Sequence, residues 1–225
     1  MIRTTRSHRQ IGIALVAGSM LLLAACSSED DPQPTGASYA AQSVTSPGET
    51  NPMIASGVTI GSDAYFYKSS GLGPEGMNED AAPGSPETYI DTSVFYGGEL
   101  SEGVTITEAQ GLNALAQIKA NLEDQGLTLS DVVSMRVFLD NAPGAPAADF
   151  AGWNRAYRQY FANTNLETGD TEMVPMGTAE PNSPLERNPA RPTRYAIEVA
   201  SLPVPGWLVE IEVDAVYPTD KQPQE

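Results

Sequence analysis

The chain has 225 residues, 40% hydrophobic and 18% charged, enough for one sizeable core plus tails. With 29 Asp and Glu against 12 Lys and Arg its formal charge is -17, which excludes nucleic acid and anionic lipid headgroups as partners, because both repel an acidic surface. The single histidine and single cysteine are His8 and Cys26, so the chain beyond residue 26 has neither an imidazole base nor a thiol.

Arg3, Arg6 and Arg9 precede an apolar run over residues 11–25, which is too short for a comfortable membrane span and has the length of an export signal. The run ends in Leu23-Ala24-Ala25-Cys26, which looks like a bacterial lipobox, in which the Cys is lipidated and becomes the new N-terminus. The predicted organisation is therefore a lipoprotein signal peptide at 1–25, a disordered acidic tether at 26–50, a folded domain at 51–218 and a polar tail at 219–225. Lipid on Cys26 implies a place at the cell envelope, facing the periplasm or the exterior, and Ser27 after it suits the outer membrane of a diderm cell. Within the tether only 39–44 has the pattern of a strand packed on the domain.

In the domain, residues 58–60 and 64–69 around Gly61-Ser62-Asp63 predict a hairpin. Residues 71–103 are dense in Gly, Pro and acids and predict an elaborated surface loop, with a short strand at 93–96. Thr107-x-x-Gln110 has the form of a capping box, and Leu112, Leu115, Ile118 and Leu122 follow at helical spacing, predicting a helix over 108–124. A strand at 131–140 carries Val133, Met135, Val137 and Leu139 on one face, and a second helix at 149–161 aligns Phe150, Trp153, Tyr157 and Tyr160. After a polar loop at 163–192 come strands at 195–199 and 208–217, the latter alternating Val209, Ile211, Val213 and Ala215 with Glu210, Glu212 and Asp214. The order β-β-α-β-α-β-β predicts an α+β sheet with two helices on one face. Its other face carries three like charges that need water, cations or a partner subunit.

Gly71-Leu72-Gly73-Pro74-Glu75-Gly76 matches G-x-G-x-x-G, but Pro74 and the residues after it cannot open the helix that would bind a pyrophosphate. Acid pairs such as Glu79-Asp80 lack the spacing of a calcium loop, and without His or Cys neither a zinc site nor a Ser-His or Cys-His device is available. No metal and no cofactor is expected. Arg194 and Glu210 remain. A guanidinium at a strand edge can clamp a carboxylate and a nearby Glu can hold a water, although such a pair alone is more often a surface salt bridge.

From about Gly57 to Tyr217 the chain resembles the Rid family, the reactive intermediate deaminases also called the YjgF family. The resemblance rests on the run from Val58 to Tyr65 leading to Ser70-Gly71, on Gln110 to Leu122 with Gly126, and on Asp131-Val132-Val133-Ser134-Met135-Arg136-Val137-Phe138-Leu139. It continues through Phe150-Ala151-Gly152-Trp153-Asn154-Arg155-Ala156-Tyr157 and closes with Arg194-Tyr195-Ala196-Ile197-Glu198-Val199 and Leu208-Val209-Glu210-Ile211-Glu212-Val213. The two polar loops read as insertions.

The resemblance implies a chorismate-mutase-like homotrimer with clefts between subunits and hydrolysis of enamines and imines of amino acids to keto acids and ammonia. It places the carboxylate-holding arginine at Arg194, the water-positioning glutamate at Glu210, the cleft Ser-Gly at Ser70 and Gly71, and the accompanying helix asparagine at Asn154. The chain departs from the pattern in three places. Asn51-Pro52-Met53-Ile54-Ala55-Ser56 replaces the segment with the cleft tyrosine, Ala196 stands where a cysteine is frequent, and Tyr195 brings aromatic bulk or a substitute hydroxyl beside Arg194. The alternative reading is a non-catalytic trimer that holds small carboxylates at the envelope.

Overall fold

The computed structural model describes residues 40–221. The export segment, Cys26, most of the tether and residues 222–225 of the tail lie outside them. The elements in chain order are β1 (Ala41–Val44), β2 (Gly57–Ile60), β3 (Phe66–Lys68), α1 (Ile106–Glu123), β4 (Val132–Leu139), α2 (Phe150–Tyr160), β5 (Thr193–Glu198) and β6 (Val209–Val216). The main sheet has the order β3-β6-β4-β5, with β4 and β5 parallel and the other neighbours antiparallel. Together with the two helices this is the α+β architecture expected.

Alternation in the sequence becomes a two-faced sheet. Met135, Val137 and Leu139 of β4 and Val209, Ile211, Val213 and Ala215 of β6 are fully buried, and Leu112, Leu115, Ile118 and Leu122 of α1 join the same cluster. Burying such a Leu or Ile side chain contributes roughly 1.5–3 kcal/mol, so this seam fixes both the register and the face. From α2, Trp153, Tyr157 and Tyr160 are buried, whereas Phe150, expected on the same side, is 39% exposed at the first turn.

Several local expectations are corrected. The hairpin of 58–60 with 64–69 does not form: β2 pairs with β1, and β3 pairs with β6. The end of the expected tether is thus a strand, because β1 offers β2 a local antiparallel partner that the short β3 cannot be while it pairs with β6. Residues 93–96 form no strand; a short 3-10 turn follows at Tyr96–Gly98, and Ile90 and Phe95 sink into the core. Thr107 is inside α1 and does not cap it. The cap is Thr105, whose hydroxyl accepts from the Glu108 N–H at 3.1 Å, and Gln110 instead donates to the carbonyls of Pro86 and Gly206 and accepts from the Leu208 N–H. The α2 cap, Asp149, accepts from both the Gly152 N–H and the Thr105 hydroxyl, so the two helix starts are tied together.

The loop over 163–192 is also held. Glu108, fully buried, accepts from Arg155 on α2 and from the Gly177 N–H, while Asn163 donates to the carbonyls of Arg158 and Glu186. Buried backbone groups in an insertion need partners, and these polar side chains supply them.

Candidate functional site

Arg194 is the second residue of β5, an edge strand, and stands in register with Met135 of the buried β4 row. Its side chain therefore runs on the helix side of the sheet, under α2. One Nη2 donates to Asn154 Oδ1 at 2.7 Å, and the guanidinium carbon lies 4.2 Å from the centre of the Tyr157 ring. Tyr157 in turn stacks on Phe161 at 5.4 Å, an Arg-Tyr-Phe column built from two elements. The Arg194 Nη1 is buried and has no hydrogen-bond partner, and among the described residues no carboxylate lies within 4 Å of Arg194. Burial lowers its pKa, with the nearby Tyr157 opposing the shift. Burial also pushes the Tyr157 hydroxyl up to about 12, against three neighbouring arginines, and that hydroxyl donates to the Met53 carbonyl. The segment that replaces the cleft tyrosine is thus packed on α2.

Glu210 stands in register with Phe138, the row that faces away from the helices. Its carboxylate lies over Gly71: a methyl there would overlap Oε1. Burial and the neighbouring Glu212 raise the Glu210 pKa above its ordinary value. Ser70 is exposed beside Gly71, and Gly71 opens on a hollow of about 420 Å³ lined by Leu72, Gly73, Gln117, Asn121 and Trp207. Tyr195, half exposed, alternates with Arg194 and so faces the Glu210 side, in register with Arg136.

The structure therefore brings together Arg194 with Asn154, and Ser70 and Gly71 with Glu210, but not the two groups with each other in one chain. By strand geometry Arg194 and Glu210 are about 14 Å apart along the sheet and on opposite faces. The expectation that the two lie within reach of one another in a single chain is corrected. The side-chain parity of β5 against β4, invisible until the register is known, is the reason.

Sequence reasoning also missed Arg136. It donates to Glu212 and Asp214 at 2.7–2.8 Å, with Lys68 3.5–3.6 Å from the same carboxylates, so two of the three like charges on the outer face are compensated within the chain. The Arg136 hydrogen bonds hold the pKa of both Glu212 and Asp214 below the usual values, while Glu210 has no cation within 4 Å among the described residues. The clue was the alternation itself, which puts Arg136 on the face opposite Met135 and Val137. Among the described residues no group of three or more Asp, Glu, His or Cys is placed to hold a metal ion.

In fold comparisons the chain is similar to a YjgF/YER057c/UK114-family protein of Mycobacterium tuberculosis, at 21% identity and TM-score 0.38, over 79% of this chain and 99% of that one. It is similar to the Rid-family protein YyfB of Yersinia pestis at 20% identity and TM-score 0.43, over 79% and 99%. It is similar to Escherichia coli TdcF, solved with bound serine, at 21% identity and TM-score 0.39, over 78% and 98%. No curated protein matches the chain in sequence. The family model described as Endoribonuclease L-PSP matches residues 90–217, more than half of the chain and the stretch that holds Asn154, Arg194 and Glu210. The chain thus belongs to the Endoribonuclease L-PSP family, the family of the YjgF and Rid proteins.

Proposed function

We propose that this protein hydrolyses enamine and imine forms of amino acids to keto acids and ammonia, in clefts between the subunits of a homotrimer. The observation that carries the reading is Arg194: a partly buried guanidinium that has, among the described residues, a free donor, one neutral hydrogen-bond partner and no counter-ion. A charge so placed is costly without an anion, and its planar fork matches a carboxylate. Phosphodiester chemistry, which the description of the family model suggests, finds no support in a chain of charge -17.

In this reading Arg194 holds the substrate carboxylate, Asn154 fixes the guanidinium, and Glu210 orients a water toward the C=N carbon. The water oxygen bonds to that carbon and its proton passes to nitrogen; the carbinolamine then expels ammonia and leaves the carbonyl. Imine hydrolysis is intrinsically easy, so positioning and charge are sufficient without a histidine base. Because Arg194 and Glu210 are on opposite faces of one sheet, a site that uses both needs Arg194 from one subunit and the Ser70-Gly71-Glu210 surface from another. Light scattering of the full chain in detergent, corrected for bound detergent, should give three times the chain mass; a monodisperse monomer refutes the shared cleft.

The test of activity is ammonia release from an imino acid generated in place by an amino-acid oxidase. Ala196 and the segment Asn51–Ser56, which leave the family's cysteine and cleft tyrosine unfilled, favour a second reading: a trimer that binds small carboxylates without turnover. Binding without ammonia release decides for it. We further propose attachment to the membrane through Cys26. Equal membrane fractions for wild type and Cys26→Ala would refute it.

A further inference from the structure

Asn154 and Tyr157 are three residues apart on α2, which places an amide and an aromatic ring on the same flank of the helix. β5 brings Arg194 against both: its Nη2 donates to Asn154 Oδ1 at 2.7 Å, and its guanidinium carbon lies 4.2 Å from the centre of the Tyr157 ring and 6.0 Å from that of Trp153. The Tyr157 ring is itself fixed. It is fully buried, it stacks on Phe161 with the ring planes 6° apart, and its hydroxyl donates to the Met53 carbonyl at 2.9 Å. Met53 sits in a segment that is tied down on both sides: Arg191 donates to the Pro52 carbonyl and to Asn51 Oδ1, and the Ala55 N–H donates to the carbonyl of Pro192, two residues before Arg194.

A guanidinium in a folded chain can be held in two ways. Arg136 shows the first, a pair of carboxylates that neutralise it and take up its donors. Arg194 shows the second: among the described residues it has no carboxylate within 4 Å, and it is held by a neutral amide and an aromatic ring, whose face attracts a cation. The ring attracts the charge without cancelling it and leaves Nη1 unsatisfied. A carboxylate in the place of the ring would compete with a substrate carboxylate for the same planar fork.

We infer that Tyr157 is a positioning residue for Arg194: its ring, locked by Met53 and Phe161, sets the plane of the guanidinium and stands in for a counter-ion, so that the open edge of the fork is presented to a carboxylate. This rests on the assignment of Arg194 as the carboxylate holder.

The test is calorimetric binding of pyruvate and of its neutral amide, pyruvamide, to the full-length protein in detergent, with a thermal melt of each variant. General loosening of the fold weakens both ligands alike, whereas a misplaced guanidinium lowers the preference for the carboxylate. Wild type should prefer pyruvate by at least about thirtyfold, and Tyr157→Leu should reduce that ratio by about three- to thirtyfold. Tyr157→Phe keeps the ring and should stay within about twofold of the wild-type ratio, although it melts lower for want of the Met53 hydrogen bond. Pentafluorophenylalanine at position 157 keeps the shape and reverses the charge of the ring face, so it should behave as Tyr157→Leu does and decides the matter if Tyr157→Leu does not fold. Leu122→Ala, a core variant of α1, should melt lower with its ratio unchanged. A wild-type ratio in the folded Tyr157→Leu or pentafluorophenylalanine protein, a Tyr157→Phe ratio as low as theirs, or an equal fall in Leu122→Ala overturns the positioning role. If wild type shows no preference for pyruvate, or Arg194→Ala keeps it, the Arg194 assignment itself fails and the role of Tyr157 with it. A preference lost in Arg194→Ala but intact in the Tyr157 variants preserves that assignment and refutes only the positioning.

Discussion

Glu210 lies so close over Gly71 that a single methyl group on Gly71 would occupy the position of its carboxylate oxygen. The obstacle is the far end of a flexible side chain, so Gly71→Ala should cost no more than about 1 kcal/mol of stability. It should nevertheless displace the carboxylate and lower imine hydrolysis by about tenfold to a hundredfold. Thermal melts and kcat, measured together on the same preparation, separate the two effects.

The raised pKa of Glu210 has a sign that can be read in a rate profile. The carboxylate is needed ionised to accept from water, so activity should fall as pH drops through a midpoint above the ordinary glutamate value. Glu210→Gln should remove that acid limb and cost about a hundredfold or more in kcat. A limb that persists in the variant assigns the titration to another group.

Arg136 is expected to govern acid stability. Glu212 and Asp214 have folded pKa values below their unfolded ones, so their contribution is present above the unfolded values and lost as pH falls through the folded ones. Arg136→Gln should destabilise by about 2 kcal/mol at pH 7, since these side chains are 16–29% exposed and the pairing is between the surface and buried limits. The deficit should begin to shrink below about pH 4, where the variant's unpaired carboxylates take up protons and no longer repel, and should vanish only once the lowered wild-type groups are protonated as well. Denaturant melts of both proteins at pH 7 and pH 3.5 check this.

Glu108 joins α1, α2 and the loop over 163–192 through Arg155 and the Gly177 N–H, with no exposure of its own. Glu108→Ala leaves a cation and a backbone donor unpaired, and should cost about 3–5 kcal/mol. Limited proteolysis should cut within 163–192 sooner in the variant than in wild type.

The parts of the fold that were legible in the sequence are those set by short periods. Leu112, Leu115, Ile118 and Leu122 announced α1, and the alternation of Val209 to Ala215 announced β6 and its buried face. Pairing was less legible, because β2 has a tight turn after it that suits a hairpin, while its actual partner, β1, comes from a stretch read mainly as tether. Thr105-x-x-Glu108 and Thr107-x-x-Gln110 are equally good as strings, and only the structure, in which the Thr105 hydroxyl accepts from the Glu108 N–H while Thr107 lies inside the helix, selects the first as the cap. For the site, the residue types at Arg194, Asn154 and Glu210 were readable, but the faces they occupy were not. Parity along β5 has meaning only once Arg194 is known to lie beside Met135.

The central claim is that Arg194 holds the substrate carboxylate, and truncating it is the most direct test. Imino-acid hydrolysis and small-carboxylate binding should be measured on wild type, Arg194→Ala and Arg194→Lys, with circular dichroism to show that each is folded. The loss of a charge-assisted bidentate contact predicts a fall of roughly thirty- to a thousand-fold for Arg194→Ala, with partial rescue by Arg194→Lys, whose ammonium lacks the planar fork. A folded Arg194→Ala protein that matches wild type in both assays would contradict the account.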